Sequence, residues 1–571
     1  MDRKIAVDGE HLSIGSVVDA ARTGASILLD GDVRNKIAKS REYVEKAVEQ
    51  VVNPDTPEIL RKNRLIYGVT TGFGSHKEFI IKDRAEAKNL QTNILMSHAC
   101  GVGSPFEPDV VRAIMLIRLN SFAKGFSGVR YELLEILSEM LNHGIHPLVP
   151  QQGSVGSSGD LCPLSHLALV LIGKGKASVD RLSAETRRWI RGRIVAGKAA
   201  MDHIRSVLAE KGISVPFELG YKEGLALTNG TTVMTAIGVL VYHDALNLIK
   251  HADIAGAMTL EAVGGRTRAF DSKVHDVRPF TGQRQCADNV RKLIAGSQLV
   301  DRNGDVQDAY SVRCIPQVHG AVKDALDHVR QVLEVEINSA TDNPLFFEPN
   351  PPPSDGFSEK WDYSAGNFHG EPIALAMDYL GLAVAEIGSI AERRIQKLLD
   401  KHHNYGLPSN LTPDPRVHSG LMLSHYTAAS LVSENKVLCH PASCDSIPTS
   451  ANIEDHVSMG TVAARKARTI LENVEYILAV ELLCASQALD FRAGTLGKTS
   501  DISFRGKPGK GTQTAYEKVR ETGLRPVEKD RELSSDIEKA KNLIEGGTLV
   551  EAVENAVAEL YKPQRQRLKF N

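Results

Sequence analysis

The stretch Gly-Ser-Val-Gly-Ser-Ser-Gly-Asp-Leu at residues 153–161 carries the most information about this chain. It is a run of small residues in which the step Ser158-Gly159 is flanked by glycines. If the nitrogen of Gly159 attacks the carbonyl carbon of Ser157, a five-membered ring forms, and a side chain on the attacking residue would obstruct that approach. Loss of water from the ring and from the Ser158 side chain leaves a methylidene group conjugated to the ring carbonyl. The stretch therefore predicts an electrophile that the chain builds from its own backbone.

The ring formed in this way is 4-methylideneimidazol-5-one (MIO), and it requires no added cofactor. The structural alternative for the same residues is a Ser/Gly-rich turn that caps a helix beginning near Asp160. The tripeptide Ser157-Ser158-Gly159 alone leaves both interpretations open. The remainder of the chain has to decide between them.

Composition is that of an ordinary globular protein. Of the 571 residues, 42% are hydrophobic and 24% are charged, and the formal net charge is −2. This balance provides no basic surface for nucleic acid and no polybasic cluster for a membrane. The N-terminal residues lack the apolar core of a signal peptide, and no stretch approaches about 18 consecutive apolar residues. We therefore expect a cytoplasmic protein.

Cysteine and histidine usage gives no sign of a disulfide framework or a metal centre. The seven cysteines are scattered and odd in number, which favours reduced thiols. His402 and His403 are adjacent rather than one helical turn apart, and we interpret them as solvated. No metal site is predicted.

The pattern of apolar residues changes near residue 220. Before that point, short helical patterns alternate with glycine-rich loops, chiefly at 67–74 and 147–159. After it, the pattern becomes long and helical. We predict a mainly α fold in which a smaller N-terminal domain, 1–220, carries the serine-rich loop. Residues 221–571 are predicted to form a central long-helix bundle with a C-terminal helical extension.

Three stretches have apolar residues every three to four positions without an interior proline, at 317–340, 371–400 and 456–491. Helices of roughly 30 residues are about 45 Å long, too long for one small domain to cover. They indicate a bundle shared between subunits. Two segments are predicted to be irregular: the proline-rich 348–357 as a surface loop, and the Gly/Lys-rich 504–513 as a mobile, solvated loop.

Six further motifs combine aromatic, amide or charged side chains with small neighbours. They are Tyr67-Gly68-Val69-Thr70-Thr71-Gly72-Phe73-Gly74, Leu227-Thr228-Asn229-Gly230-Thr231, Gln307-Asp308-Ala309-Tyr310-Ser311-Val312-Arg313-Cys314, Asp342-Asn343-Pro344-Leu345, Gly366-Asn367-Phe368-His369-Gly370 and the segment 448–459. Each alone has an ordinary structural interpretation. Tyr67 could pack beside a turn, Tyr310 and Arg313 could lie on a helix surface, and Phe368 could belong to the core.

Together with Ser157-Ser158-Gly159, these motifs resemble the aromatic amino acid ammonia-lyase and aminomutase family, in the family's order from about residue 60 to 490. The resemblance implies the ammonia-lyase/fumarase-like superfamily fold and an MIO formed from these three residues. It also implies a homotetramer in which each site draws on more than one subunit. The family's tripeptide is usually Ala-Ser-Gly, so Ser158 is expected to lose its hydroxyl while Ser157 keeps its own.

The resemblance assigns proton removal to a tyrosine and binding of the substrate carboxylate to an arginine. Tyr67 is expected to be the base that removes a proton from the substrate β-carbon. A phenol with an ordinary pKa of about 10 is a poor base at neutral pH, so its surroundings should favour phenolate. Arg313 is expected to clamp the substrate α-carboxylate, because a guanidinium presents two parallel donors.

The resemblance places the other members of the set around the ring. Tyr310, a further catalytic residue, and Gln307 would line the MIO side. Asn229 would hydrogen-bond near the ring and the substrate amine. Phe368 would pack over the MIO and the substrate, and Asn343 would support the site.

Substrate choice in the resembled family follows two adjacent residues above the substrate ring, here Ser97 and His98. A Ser-His pair is similar to that of members acting on histidine. Glu454 agrees, because its carboxylate can accept the imidazole N–H, whereas an apolar ring would leave a buried carboxylate unpaired at a cost of a few kcal/mol. The structural alternative for Glu454 is a salt bridge with a nearby arginine. Ile453 stands where histidine lyases more often have glutamine.

The function indicated by the whole set is elimination of ammonia from L-histidine to give trans-urocanate. A histidine 2,3-aminomutase, which would return the amine to the β-carbon as β-histidine, uses the same residues and stays open. So do phenylalanine or tyrosine ammonia-lyase activity and a catalytically inactive helical binding protein. Closure of loops over the site, which separates a lyase from a mutase, cannot be deduced from sequence.

Overall fold

The computed structural model of the protein describes residues 4–182, 189–349, 360–497 and 502–561. Helices dominate, and the predicted mainly α, long-helix class is confirmed. The α-helices span Ile14–Arg22, Val33–Val52, Glu58–Asn63, Arg84–His98, Pro108–Ala123, Tyr131–Asn142, Leu161–Leu171, Gly197–Asp202, Arg205–Glu210, Glu223–Thr228, Thr232–Ala262, Ser272–Asp276, Thr281–Leu293, Tyr310–Arg313, Ile315–Glu336, Glu371–Leu399, Met422–Leu438, Gly460–Ala493, Lys510–Glu521, Ser534–Glu545 and Thr548–Val557. Short 3-10 turns lie at Gly74–His76, Thr267–Phe270, Ser409–Leu411 and Ser450–Asn452.

The strands within the described residues are short and form small separate sheets. Lys4–Val7 pairs in parallel with Ser26–Leu29, with Lys4 opposite Ser26. The antiparallel pairs are Val102–Pro105 with Pro150–Gln152, Ile145–Pro147 with Lys176–Leu182, Lys176–Leu182 with Trp189–Ala196, and Leu345–Phe346 with Asp362–Tyr363.

The long helices predicted from apolar spacing are present with shifted ends, at Ile315–Glu336, Glu371–Leu399 and Gly460–Ala493. Pro372 lies in the first turn, where its missing N–H breaks no helical hydrogen bond. The last helix begins after the predicted start at His456, because Met459 has φ +53°, which a right-handed helix excludes. A fourth long helix, Thr232–Ala262, has 31 residues.

Contacts between Cα atoms divide the chain into two compact units, each assembled from separate stretches. The first comprises Met1–Leu240, Gln331–Met377 and Pro441–Arg465; the second comprises Val241–Arg330, Asp378–His440 and Lys466–Asn571. The division at residue 220 stays a prediction about domains.

Two of the helices, Thr232–Ala262 and Glu371–Leu399, are long and apolar enough to span a membrane by length and composition. Of their most apolar windows, 78% and 56%, respectively, are buried within the protein. Such burial is typical of core helices in soluble enzymes, and we interpret both as core helices.

The Gly/Lys-rich segment 504–513 is not the solvated loop that its composition predicted. Phe504 is 5% exposed, and the Arg492 guanidinium lies 3.6 Å from its ring centroid. The Gly509 N–H donates to Glu261 Oε1 at 2.6 Å, and the helix Lys510–Glu521 follows directly. A Cβ on Gly509 would approach the Ile294 carbonyl carbon to 2.4 Å, so here glycine permits close backbone packing. Of the proline-rich loop predicted at 348–357, residues 350–357 lie outside the described residues.

The second unit is built around fully buried ion pairs. Arg394 Nε and Nη2 donate to the two oxygens of Glu481 at 2.5 and 2.8 Å, and both side chains are inaccessible to solvent. Thr259 Oγ1 adds a third hydrogen bond to Glu481. Neither charge would be tolerated in this interior without the other.

We expect Arg394→Met to destabilise the protein by about 3–5 kcal/mol, because it leaves the Glu481 carboxylate buried without its cation. The measurement is the shift in thermal midpoint. Arg416→Met is the matched control: the Arg416 side chain in the same unit is 86% exposed and its partner Asp414 is 36% exposed, so its removal should move the midpoint little. Equal shifts for the two variants would show that the Arg394–Glu481 pair does not stabilise this unit.

Candidate active site

The serine-rich loop folds back on itself at the tripeptide that sequence analysis singled out. Gly156 and Gly159 form an antiparallel bridge with Ser157 and Ser158 between them, and both glycines have positive φ, +72° and +75°. A Cβ on Gly159 would lie 2.2 Å from the carbonyl carbon of Gly230. Glycine at 159 is therefore required by packing as well as by the nucleophilic attack inferred from sequence.

Gly230 holds the other side of the tripeptide. Its N–H donates to the Ser158 carbonyl oxygen at 3.0 Å, and its own carbonyl accepts from the Asp160 N–H at 2.8 Å. These bonds make a parallel bridge between Gly159 and Gly230. The peptide groups that would form the ring are thus clamped between two glycine backbones.

Asp160 anchors the loop in a way that local sequence does not indicate. The predicted helix begins at Leu161, but Asp160 makes no side-chain cap to it. Its carboxylate instead accepts from the backbone N–H groups of Val233 and Met234 at 2.8 and 3.0 Å, at the start of Thr232–Ala262. The turn does precede a helix, as the structural alternative expects, but the buried Asp160 carboxylate binds the N-terminus of a distant helix.

The segment 449–460 covers the loop from the opposite side. Glu454 Oε1 accepts from the Ser158 hydroxyl and Oε2 accepts from Thr449 Oγ1, both at 2.9 Å. Ser458 Oγ donates to the Gly156 carbonyl at 3.1 Å. The salt bridge to arginine considered for Glu454 is not found among the described residues. The carboxylate faces the serine expected to become the electrophile.

Tyr67 lies on the neighbouring glycine-rich loop, and its surroundings differ from those expected for a base. Its hydroxyl oxygen accepts from the Gly74 N–H at 2.8 Å. Burial raises the pKa of Tyr67, with the Glu454 carboxylate adding to the rise and the Gly74 N–H opposing it. Among the described residues, no cation is one of the groups that shift the pKa of this phenol.

The specificity pair closes the helix Arg84–His98. Ser97 Oγ and His98 Nδ1 are 2.9 Å apart, and the His98 ring meets Phe73 edge-on with centroids 5.9 Å apart. Burial lowers the pKa of His98, while Glu454 acts to raise it. The imidazole is thus held near Glu454 in a half-buried position that favours its neutral form.

Three amide and aromatic residues of the predicted set belong to the first compact unit. Asn229 is 4% exposed, and its side-chain amide donates to the Leu225 carbonyl at 3.1 Å. Asn343 Oδ1 accepts from the Ala365 N–H at 2.8 Å and so holds the strand end that leads to Phe368. Phe368 is half-buried, two residues before Gly370, where a Cβ would lie 2.7 Å from Ser458 Oγ.

Gln307, Tyr310 and Arg313 belong to the second unit. Tyr310 is 72% exposed, Gln307 is exposed, and the Arg313 guanidinium lies 4.7 Å from the Tyr310 ring centroid. Arg313 Nε is buried and has no hydrogen-bond partner among the described residues. The unpaired Arg313 N–H can donate a hydrogen bond to a carboxylate. The position of Arg313 relative to Ser158 stays a prediction.

One group with metal-binding atoms escaped sequence analysis because its members are far apart in the chain. Atoms of Asp253, Cys286 and His319 lie within 4.8 Å of one another in the second unit. Asp253 already accepts from Lys323 Nζ, Asn289 Nδ2 and His319 Nδ1 at 2.7–2.8 Å. The ammonium of Lys323 balances the Asp253 carboxylate, so these contacts make a structural network.

The described geometry suits an electrophile at Ser158 with the Glu454 carboxylate beside it. The loop is folded back, the Ser158 carbonyl oxygen has a backbone donor, and the Ser158 hydroxyl faces Glu454. Three contacting residues, Asp160, Ser458 and Gly230, were not predicted from the sequence as site residues. The one local signal was the position of Asp160 directly after the Ser-Gly step.

Comparison with known proteins covers nearly the whole chain. Residues 12–521 match the family model described as aromatic amino acid lyase. The histidine ammonia-lyase of Alkaliphilus oremlandii is 47% identical over 559 residues, 97% of this chain and 99% of that protein. The solved histidine ammonia-lyase of Trypanosoma cruzi has a TM-score of 0.81 and 35% identity, covering 99% of both chains. Tyrosine aminomutase of Streptomyces globisporus has a TM-score of 0.81 and 38% identity, covering 98% of this chain and 100% of that one. The chain belongs to the aromatic amino acid lyase family.

Proposed function

We propose that this protein is a histidine ammonia-lyase, which eliminates ammonia from L-histidine to give trans-urocanate. The observation that carries the proposal is the Glu454 carboxylate, 2.9 Å from the Ser158 hydroxyl and free of any ion pair among the described residues. A carboxylate in this place can accept the N–H of a substrate imidazole. The identity of 47% with a histidine ammonia-lyase over nearly the full length supports the same substrate.

The three residues Ser157, Ser158 and Gly159 fit an MIO. Gly159 lacks the side chain that would strike Gly230, and the bridge between Gly156 and Gly159 folds the attacking nitrogen back toward Ser157. When formed, the MIO supplies an electrophile for the substrate amine and makes the amine a better leaving group. No metal or nucleotide is part of this proposal.

The protein's own residues bind and orient the substrate and move its β-proton. Glu454 holds the imidazole, with Ser97 and His98 beside the same end. Arg313 binds the α-carboxylate, and Tyr310 and Gln307 line the MIO side of the site. With both ends of the substrate fixed, its β-proton faces the oxygen of Tyr67. The loss of conformational freedom that positions the substrate then occurs on binding rather than in the reaction step.

The direct test is incubation of the purified protein with L-histidine and separation of the products. We expect urocanate and ammonia in equal amounts. β-Histidine would instead identify a 2,3-aminomutase, an alternative favoured by the 38% identity to a tyrosine aminomutase. Turnover of phenylalanine or tyrosine in preference to histidine in a parallel substrate panel would contradict the assigned substrate.

We expect Glu454→Gln to raise the KM for L-histidine by about ten- to a hundredfold, because a charge-assisted hydrogen bond to the imidazole is replaced by a neutral one. The measurement is steady-state kinetics, together with intact mass to verify that the tripeptide still loses water. Asp455→Asn is the matched control, since Asp455 is the adjacent, exposed carboxylate. An unchanged KM in Glu454→Gln would exclude Glu454 from substrate binding.

We further propose a cytoplasmic homotetramer whose sites combine Tyr67 of one subunit with Arg313 of another. Tyr67→Phe and Arg313→Gln should each be nearly inactive. Mixed tetramers isolated after co-expression with two different tags should regain about a quarter of the activity, because random mixing restores that fraction of sites. No recovery in mixed tetramers would show that both residues serve a site from the same subunit.

A further inference from the structure

Arg118 is a buried cation that directly contacts the backbone of the site. It lies in the helix Pro108–Ala123, its side chain is 0% exposed, and its Nη2 donates to the Asn229 carbonyl oxygen. A Cβ on Gly230 would lie 3.0 Å from the same nitrogen. Nε and Nη1 have no hydrogen-bond partner among the described residues. Burying a guanidinium with two unpaired nitrogens is unfavourable for folding, which points to a role beyond stability.

The carbonyl of Asn229 and the N–H of Gly230 belong to one peptide group. Its oxygen accepts from Arg118, and its N–H donates to the Ser158 carbonyl oxygen at 3.0 Å. A cation on the oxygen of an amide draws electron density from the nitrogen and makes the N–H a stronger donor. The chain of contacts from Arg118 through this peptide group ends at the carbonyl of the residue expected to become the electrophile.

We propose that Arg118 is a positioning residue that increases the electrophilicity at Ser158 by polarising the Asn229–Gly230 peptide group. The proposal rests on the proposed function, in which Ser158 loses water to give a methylidene conjugated to its own carbonyl. When a nucleophile adds to the methylidene carbon, the new bond uses the nucleophile's electron pair. The pair from the carbon–carbon double bond moves onto the Ser158 oxygen, where the Gly230 N–H meets the growing charge.

The same oxygen carries charge when the ring matures. Loss of water from Ser158 requires removal of its α-proton, and the electron pair left behind is delocalised onto the adjacent carbonyl before hydroxide departs from the β-carbon. A stronger Gly230 donor therefore favours both the dehydration of Ser158 and the later addition. Arg118 contacts neither reacting atom and acts through the peptide group.

The charges around Arg118 keep it in the cationic form that the proposal needs. Lys222 and Asp342 form a fully buried ion pair at 2.7 Å, and Asp342 and Asp160 attract the guanidinium. Burial lowers the pKa of Arg118 to about 10, and these two carboxylates act against the decrease. The group is therefore protonated at neutral pH.

The test compares Arg118→Gln and Arg118→Leu, which remove the charge, with Arg118→Lys, which keeps it. Arg112→Gln is the matched control, because Arg112 is equally buried in the same helix but donates to the carbonyls of Ala20 and Leu141. The readouts are intact mass, the position of the MIO absorbance band, and the rate at which a small thiol adds to the protein. The thermal midpoint of every variant reports folding.

We expect the neutral variants to shift the band to shorter wavelength and to add thiol about tenfold more slowly, since one oxyanion donor is weakened. A neutral variant that stays linear while Arg118→Lys and Arg112→Gln lose two waters supports the proposal equally. Unchanged band and rate in the neutral variants, or the same changes in Arg112→Gln, would overturn it. So would a result in which both neutral variants fail to fold while Arg118→Lys folds. Wild-type protein that has not lost two waters would instead refute the proposed function.

Discussion

Ser158→Ala should abolish ammonia release from L-histidine and the two-water mass deficit of the mature chain. Alanine has no β-hydroxyl to lose, so the methylidene cannot form even if the backbone cyclises. Rate enhancements by activated electrophiles and nucleophiles are large, and we expect activity to fall by at least about 10³-fold. The measurements are urocanate formation and intact mass of the same preparation, in which wild type should be lighter by two waters.

Ser157→Ala is the control that separates the two adjacent serines. The Ser157 hydroxyl takes no part in the proposed ring closure, and alanine is usual at this place in the family. This variant should still lose two waters and retain activity. If Ser157→Ala stays at full mass while Ser158→Ala is dehydrated, Ser157 supplies the methylidene and the tripeptide assignment is wrong.

The local part of this site could be predicted because glycine chemistry is local. The requirement for glycine at 159 follows from the ring, and the structure adds a second cause in the 2.2 Å approach to Gly230. Glu454 was identified through resemblance to the family and its chemistry then favoured an imidazole substrate; the structure brings it to Ser158 across 296 residues. Such a pairing was accessible to sequence analysis only through resemblance to the family.

Other features were out of reach because tertiary contacts override local preference. An aspartate before a helix is ordinarily an N-cap, yet Asp160 binds the N-terminus of a helix that begins at Thr232. The segment 504–513 has the composition of a solvated loop, but its glycines allow it to pack against Ile294. The sequence gives no sign of the proposed role of Arg118, because that role depends on the peptide group that this buried arginine contacts in the folded chain.

Burial works against Tyr67 as a base within one chain, and this makes its removal informative. The described residues supply a single favourable contact, the Gly74 N–H, against burial and the Glu454 carboxylate. A tetramer that brings cationic or helix N-terminal groups to the phenol would reverse this balance. The pH profile of the assembled enzyme therefore reports on both the base and the assembly.

Tyr67→Phe should lower kcat by about 10²–10⁴-fold, the usual contribution of a positioned general base, with little change in KM. Because the phenolate is the active form, its fraction rises with pH, and the wild-type kcat should rise with pH until the pKa of Tyr67 is passed. This rising limb of the kcat–pH profile should be absent from the residual activity of Tyr67→Phe. A limb caused by titration of the substrate amine should remain in both proteins. Tyr43→Phe is the control, since it removes the hydroxyl that donates to Asp362 in the same unit and should affect only stability. An unchanged kcat, or an identical pH limb in wild type and Tyr67→Phe, would assign proton removal to another group.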